Sequence, residues 1–475
     1  MAEKVQKISI LALTGMVVGS MVGAGIFNLP ARFGAATGPF GAILSWCIAG
    51  TGMYMLARVF QSLAERKPDI DTGVFGYAKA GFGDYVGFLS AFGYWLSAML
   101  GNVFYWVLIG STLGFFFPVF GDGSTLISIV VSLAGIWFFH FMILRGVQQA
   151  AFINSIVTIA KLVPIIVAII AMIIAFNWGT FVENFWGGAD MPEKPLIAQI
   201  RDTMLITVFV FIGIEGASVY SRYAKTRADV GTATILGFVG VTGIMVAITL
   251  LPYATMPQSE IAALGQPSLA GALAATVGPW GQWFISLGVI VSVLGAYLAW
   301  SLIVAEVPFA AAKSKDMPSF FSKENKNRAP SNAMWVSNTI ISAFIISTYW
   351  SYDAFNFMLD MSAVASLLPY LLVAAYGILL SRSHEAYADV PGDRRRDGII
   401  ASIATIYTLF MFVAAGLKFV VLLAVLLAPG TVLYLWARRE QKLGYFNARE
   451  AVVLGIVLIG ALVGIAGLLT GAITH

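Results

Sequence analysis

The stretch "GSMVGAGIF", Gly19–Phe27, sits inside the first apolar run of the chain. Three glycines, Gly19, Gly23 and Gly25, crowd into it. Each glycine in a helix interior costs about 1 kcal/mol against alanine. A helix written this way is built to come apart near its middle. What an interrupted helix is for depends on the surroundings in which it must fold.

Those surroundings are apolar along almost the whole chain. Of 475 residues, 59% are hydrophobic and 11% are charged, whereas a soluble domain carries about 25% charged residues. That excludes a soluble globular protein. Apolar runs near the ~20-residue length of a membrane-crossing helix recur at 8–31, 39–60, 84–117, 124–144, 147–176, 201–221, 231–255, 280–311, 333–350, 355–380, 399–416, 418–437 and 450–471. The expectation is an all-α integral membrane protein with about thirteen spans. The run 84–117 reads as one long tilted helix, and the turn near Gly416 and Lys418 is the least marked boundary. No cleavable signal peptide is expected, because "NLPARFGAATGPF" leads straight back into the next span. Cys47 stands alone, and His140, His384 and His475 form no metal-binding spacing, so no metal or cofactor is expected.

Charge placement orients the chain. With the N-terminus in the cytoplasm and the spans alternating, nearly all of the 28 lysines and arginines fall on the cytoplasmic side. Only Arg32, Lys194, Arg201 and Lys418 fall outside, and Lys161 lies within a span. Basic residues favour the cytoplasmic face. The run "DRRRD" at 393–397 is accounted for in the same way and calls for no nucleic acid. The segment 66–83 is too short and broken to span and reads as an amphipathic or re-entrant piece, with Asp71 and Lys79 in structural roles.

A second interrupted span, "FIGIEGAS" (Phe211–Ser218), answers the first. It lies five spans later, so two halves of the chain would insert with opposite orientation. Paired interrupted helices in corresponding positions of inverted halves point to the binding site of a secondary transporter. A broken helix exposes N–H groups at one half-helix end and C=O groups at the other, and such backbone is tolerated at membrane depth only inside protein or beside a cavity. The N–H groups suit a carboxylate and the carbonyls suit an ammonium. An α-amino acid carries both. Gly15, Gly19 and Gly23 also repeat at spacing four, the pattern of close helix packing, so both uses stand together.

At these residues the chain resembles the amino acid–polyamine–organocation transporter superfamily. "GAGIF" (Gly23–Phe27) is similar to that family's first-helix signature and "GIEGAS" (Gly213–Ser218) to its sixth. The segments "KPDIDTGVFGYAKAGFGDYVGFLSAFGYWLSAMLGN" (67–102) and "VSVLGAYLAWSLIVAEVPFAA" (291–311) resemble the basic amino acid/polyamine antiporters, most of all the bacterial arginine/ornithine antiporters. The resemblance implies a LeuT-like fold: inverted five-helix repeats over 1–180 and 181–380, broken helices 1 and 6, and C-terminal helices over 381–475. It also implies alternating access in the bacterial inner membrane.

The same resemblance implies a site. Backbone at Met21, Ala24 and Gly25 would face the substrate carboxylate, and backbone at Ile212 its α-amine. Related arginine/agmatine exchangers carry a serine in place of Ala24, so that hydroxyl is missing here. Phe209 and Tyr297 resemble occluding aromatics. Asn102 resembles the asparagine that binds the substrate side chain, with Ser97 and Ala98 one turn before it. Asp360 is a further candidate for pairing with a cationic side chain. Glu215, a carboxyl in the sixth-helix break, is either a gating and proton-sensitive group or a hydrogen-bond anchor. Lys161 is either a fixed cation donating to carbonyls of the first helix or the carrier of a coupled proton, and its presence argues against sodium coupling.

Three functions follow for comparison. The leading one is exchange of a cationic amino acid for a related amino acid or amine, arginine against ornithine first. The alternatives are proton-coupled amino acid uptake, or exchange of lysine or histidine for its amine. A membrane enzyme is disfavoured because no nucleophile–base set is visible. The expected partners are the cationic substrates and the lipid bilayer. A homodimer is compatible with the sequence but not specified by it.

Overall fold

A computed structural model describes residues 10–67, 69–70, 74–145, 147–215, 227–351, 353–383, 387 and 392–473. Asp71, Gly216–Ser218 of the second motif, His384 and His475 lie outside the described residues. Among the described residues every regular element is helical.

The first apolar run forms not one helix but α1 (Ile10–Met21), a 3-10 turn (Ala24–Asn28) and α2 (Leu29–Ala36). Then follow α3 (Pro39–Arg66), α4 (Val74–Phe82), α5 (Asp84–Phe116), α6 (Leu126–Arg145), α7 (Val147–Ile174), α8 (Trp178–Asn184) and α9 (Leu196–Phe211). The second half holds α10 (Arg227–Leu250), α11 (Gln258–Ala262), α12 (Ser268–Val277), α13 (Pro279–Lys313), α14 (Ser331–Ser347), α15 (Ala354–Arg382), α16 (Arg394–Glu440) and α17 (Ala448–Leu469).

Among the described residues eight helices are long and apolar enough to cross a membrane, or nine if the bent pair Lys161–Ile174 and Trp178–Asn184 is one span. Length alone does not reach the thirteen expected runs, for physical reasons. Runs one and six are split, leaving α1 with 12 residues and α9 with 16. Helix α14 stops at 17 residues. The runs 399–416 and 418–437 merge into the 47-residue α16, bent where Gly416 leaves helical geometry (φ 80°, ψ 163°). A straight helix of that length would measure about 70 Å, more than twice the ~30 Å hydrocarbon core, so a chain reversal at that glycine is required. Helix α5 has 33 residues and is continuous, as its run suggests.

The chain divides into two compact units. The first comprises 1–51, 104–133 and 149–299. Here α1 packs tightly on α10, where a Cβ at Gly237 would lie 2.7 Å from Val17 Cγ1. Helix α2 is stitched to the segment 251–278 at three levels. Ser268 Oγ accepts from Ala31 N at 3.2 Å and donates to the Phe27 carbonyl at 3.3 Å. Gln258 Nε2 donates to the Gly34 carbonyl at 2.9 Å, and Tyr253 Oη to the Thr37 carbonyl at 2.6 Å. The short helices α11 and α12 in this segment were not legible as spans, because neither has the length for that pattern.

The second unit comprises 52–103, 134–148 and 300–475. The segment 66–83 supplies the nine-residue α4, fastened by charge. Lys79 Nζ pairs with Asp316 Oδ1 at 2.5 Å and with Asp84 Oδ1 at 3.5 Å, while Arg438 Nη1 reaches Asp84 Oδ2 at 2.7 Å. Burial alone would lower the Lys79 pKa, but the hydrogen bonds and charges of Asp316 and Asp84 outweigh it and hold the ammonium above its ordinary value. A second clamp joins the end of α3 to the start of α16. Arg66 meets Asp397 at 3.2 Å and covers the Tyr387 ring at 3.7 Å. The α17 start is closed by a capping box between Asn447 and Glu450, and Glu450 Oε1 also accepts from Tyr85 N at 2.9 Å.

Candidate functional site

In the first unit the broken helix opens at Val22–Gly23. Gly23 is extended (φ −106°, ψ −160°) and precedes the 3-10 turn. The first N–H groups of that turn, at Ala24 and Gly25, have no carbonyl one turn back along the chain. Met21, Ala24 and Gly25 are all buried. On the other side of the break, Lys161 of α7 is 2% exposed and its Nζ donates to the carbonyl of Gly19. The Lys161 amine thus meets the carbonyl end of α1, where the helix dipole is negative.

The aromatic residues close on this segment. A Cβ at Gly25 would lie 2.7 Å from Phe209 Cδ1 and 2.8 Å from Val210 Cγ1. Only a residue without a side chain allows α9 so near the first-helix backbone. The Phe209 ring also meets Phe104 edge-on, centroids 4.9 Å apart. Tyr297 of α13 is fully buried, its ring 5.2 Å from that of Trp106 and steeply inclined to it at 71°.

The second break follows α9. Ile212 turns out of the helix (φ −58°, ψ 130°) and Gly213 takes φ 109°, a conformation that favours glycine. Glu215 is 6% exposed, and its Oε2 accepts from Gly213 N at 3.1 Å. The carboxylate therefore braces the interrupted backbone from within.

Ser97, Ala98 and Asn102 lie on the part of α5 that belongs to the second unit. Ser97 Oγ donates to the Ser362 carbonyl and Ser362 Oγ to the Ser97 carbonyl, each at 2.8 Å, fastening α5 to α15. Ala98 is buried beside them. Asn102 is fully buried, and neither its Oδ1 nor its Nδ2 has a partner among the described residues. A buried polar group left unsatisfied costs about 1–3 kcal/mol, which keeps Asn102 a candidate for a polar contact. Asp360 is buried in α15 of the same unit.

Sequence reasoning missed Phe104, Tyr105 and Trp106, three consecutive aromatic rings that begin two residues after Asn102. The triplet "FYW" was the available signal, hidden in a helix apolar on every side. Among the described residues no group of three or more His, Cys, Asp or Glu side chains is placed to hold a metal ion. The assembled chemistry is backbone donors, backbone acceptors, one buried ammonium and a set of rings. Such a set can bind a small zwitterion with a cationic end. It offers no nucleophile paired with a base.

Comparison with known proteins agrees with this chemistry. The family model described as amino acid permease matches residues 8–433. The chain is 44% identical to an arginine/ornithine antiporter of Pseudomonas aeruginosa, over 99% of each chain. It is 37% identical to an arginine/agmatine antiporter of Chlamydia abortus, over 96% of this chain and 95% of the other. It is also 37% identical to an L-lysine transport protein of Corynebacterium glutamicum, over 98% and 96%. With two interrupted helices where that family's signatures fall and a match along nearly its whole length, this multi-pass membrane chain belongs to the amino acid permease family.

Proposed function

We propose that the protein exchanges a cationic amino acid for a related amino acid or amine across the bacterial inner membrane, arginine against ornithine first, by alternating access. The observation that carries the reading is the interrupted backbone at 22–25 with Lys161 on its Gly19 carbonyl. In this reading the backbone at Met21, Ala24 and Gly25 takes the substrate carboxylate and the Ile212 carbonyl takes the α-ammonium. Phe209 and Tyr297 close over the substrate, and Asn102 is assigned to the polar end of its side chain. The relatives named for arginine, ornithine and agmatine support the substrate class. The chain acts as a carrier and not as an enzyme. Its N-terminus faces the cytoplasm, and residues 1–180 and 181–380 form the inverted repeats.

The test is counterflow with purified protein in liposomes. Labelled arginine should accumulate only when arginine or ornithine is trapped inside. A second reading, proton-coupled uptake, draws on the same buried Lys161. It expects accumulation in empty vesicles under an imposed proton gradient, and that result would displace exchange.

Within the exchange reading, Phe209→Leu is expected to lower the maximal rate more than it weakens binding. A cation–π contact is worth about 0.5–2 kcal/mol, so the rate should fall by about 2- to 30-fold. Unchanged turnover with a raised half-saturation concentration would make Phe209 a simple contact and not a closing element.

A further inference from the structure

The segment Val22–Ile26 bears no polar side chain of its own. Two polar side chains are nevertheless brought against the first-helix break from elsewhere in the first unit. Lys161 takes the Gly19 carbonyl. The other is Tyr105 of α5, whose Oη stands 3.2 Å from where a Cβ at Gly23 would be.

Tyr105 is 5% exposed, and no hydrogen bond to its hydroxyl is found among the described residues. Its neighbours on α5 are engaged: Phe104 against Phe209, and Trp106 against Tyr297. The residue is almost wholly enclosed, yet no protein group among the described residues takes its hydroxyl, which leaves that hydroxyl open to a ligand. A phenylalanine would serve packing equally well. The hydroxyl therefore points to a ligand group that arrives at Gly23.

We infer that Tyr105 is a specificity-determining residue whose hydroxyl donates to the carboxylate of the bound amino acid. The inference rests on the exchange reading, which puts the carboxylate beside Ala24 and Gly25. Tyr105 supplies from α5 the hydroxyl that Ala24 cannot supply from the first helix. Gly23 is required at this place because a side chain there would crowd the hydroxyl. The contact favours substrates that carry a carboxylate over amines that lack one.

The experiment compares arginine with agmatine, the same side chain without the carboxylate, as external competitors in counterflow. Tyr105→Phe should raise the half-saturation concentration for arginine about tenfold, the loss of one hydrogen bond to a charged group. Inhibition by agmatine should not change. The double variant Tyr105→Phe/Ala24→Ser returns a hydroxyl to the break and should recover most of the arginine affinity. Equal loss for both compounds, or no loss for either, would overturn the inference while leaving the exchange reading intact. Recovery absent in the double variant, with agmatine weakened as well, would make Tyr105 a packing residue. Wild-type protein that exchanges no cationic amino acid would overturn the exchange reading, and the assignment of Tyr105 would fall with it.

Discussion

Lys161→Ala is expected to cripple exchange while the protein still inserts and remains monodisperse in detergent. The Lys161 ammonium sits 2% exposed and donates to Gly19 at the carbonyl end of α1. Removing it leaves that end of the broken helix without its cation, in a medium where water cannot substitute. A hydrogen bond to a charged group is worth about 1.5–3 kcal/mol, so the rate should fall by about 10- to 150-fold. Lys161→Arg should rescue poorly. A guanidinium is larger, flat and permanently charged, and it cannot occupy the site of a compact ammonium. The measurement is the initial rate of arginine counterflow in liposomes, corrected for inserted protein, between about pH 5 and 8 on either side of neutrality. Normal rates throughout that range would remove Lys161 from both of its assigned roles, fixed cation and proton carrier. A rate that recovers in Lys161→Arg would favour the fixed cation, because the guanidinium does not release its proton.

Much of this architecture was legible because the membrane imposes a simple grammar. Apolar length marks a span, and glycine marks where a span yields. The runs 84–117 and 450–471 became α5 and α17 with little shift of their ends. The break at Gly23 was legible because glycines concentrate there against their helix propensity. The segment 251–278 was not legible. Its helices are short, and Ser268 and Gln258 matter through single hydrogen bonds to α2 across hundreds of residues of chain. No periodicity encodes such contacts. Tyr105 was missed for the opposite reason. It lies in a helix buried on all faces, where one more aromatic carries no contrast. Its meaning depends on its distance to Gly23, which only the folded chain supplies. Ser97 was singled out as a candidate contact. Its hydroxyl is spent on the Ser362 carbonyl, so its part in binding is indirect unless that pair opens.

Glu215 separates two roles that sequence alone left together. As an anchor, it needs only an acceptor for the Gly213 N–H, which its Oε2 meets at 3.1 Å. As a coupling group, it needs a charge that a proton can remove. Glu215→Gln keeps the acceptor and the shape but has no charge, whereas Glu215→Ala loses both. The expected result is that Glu215→Gln inserts and binds arginine with little loss, yet exchanges slowly and with a flattened pH–rate profile. Glu215→Ala should in addition lose thermal stability by about 1–3 kcal/mol, because the charged acceptor that Oε2 offers to Gly213 N is gone. Both variants are compared with the wild type in liposomes holding trapped arginine, with thermal unfolding followed in detergent. A Glu215→Gln protein with an unaltered rate and pH profile, beside an unstable Glu215→Ala, would leave Glu215 as an anchor alone. Any proton linkage would then fall to Lys161, the buried amine at the first break. Without a proton at either place, exchange would run on the two substrate gradients, and the charge balance of each cycle would be set by which cation leaves as the other enters.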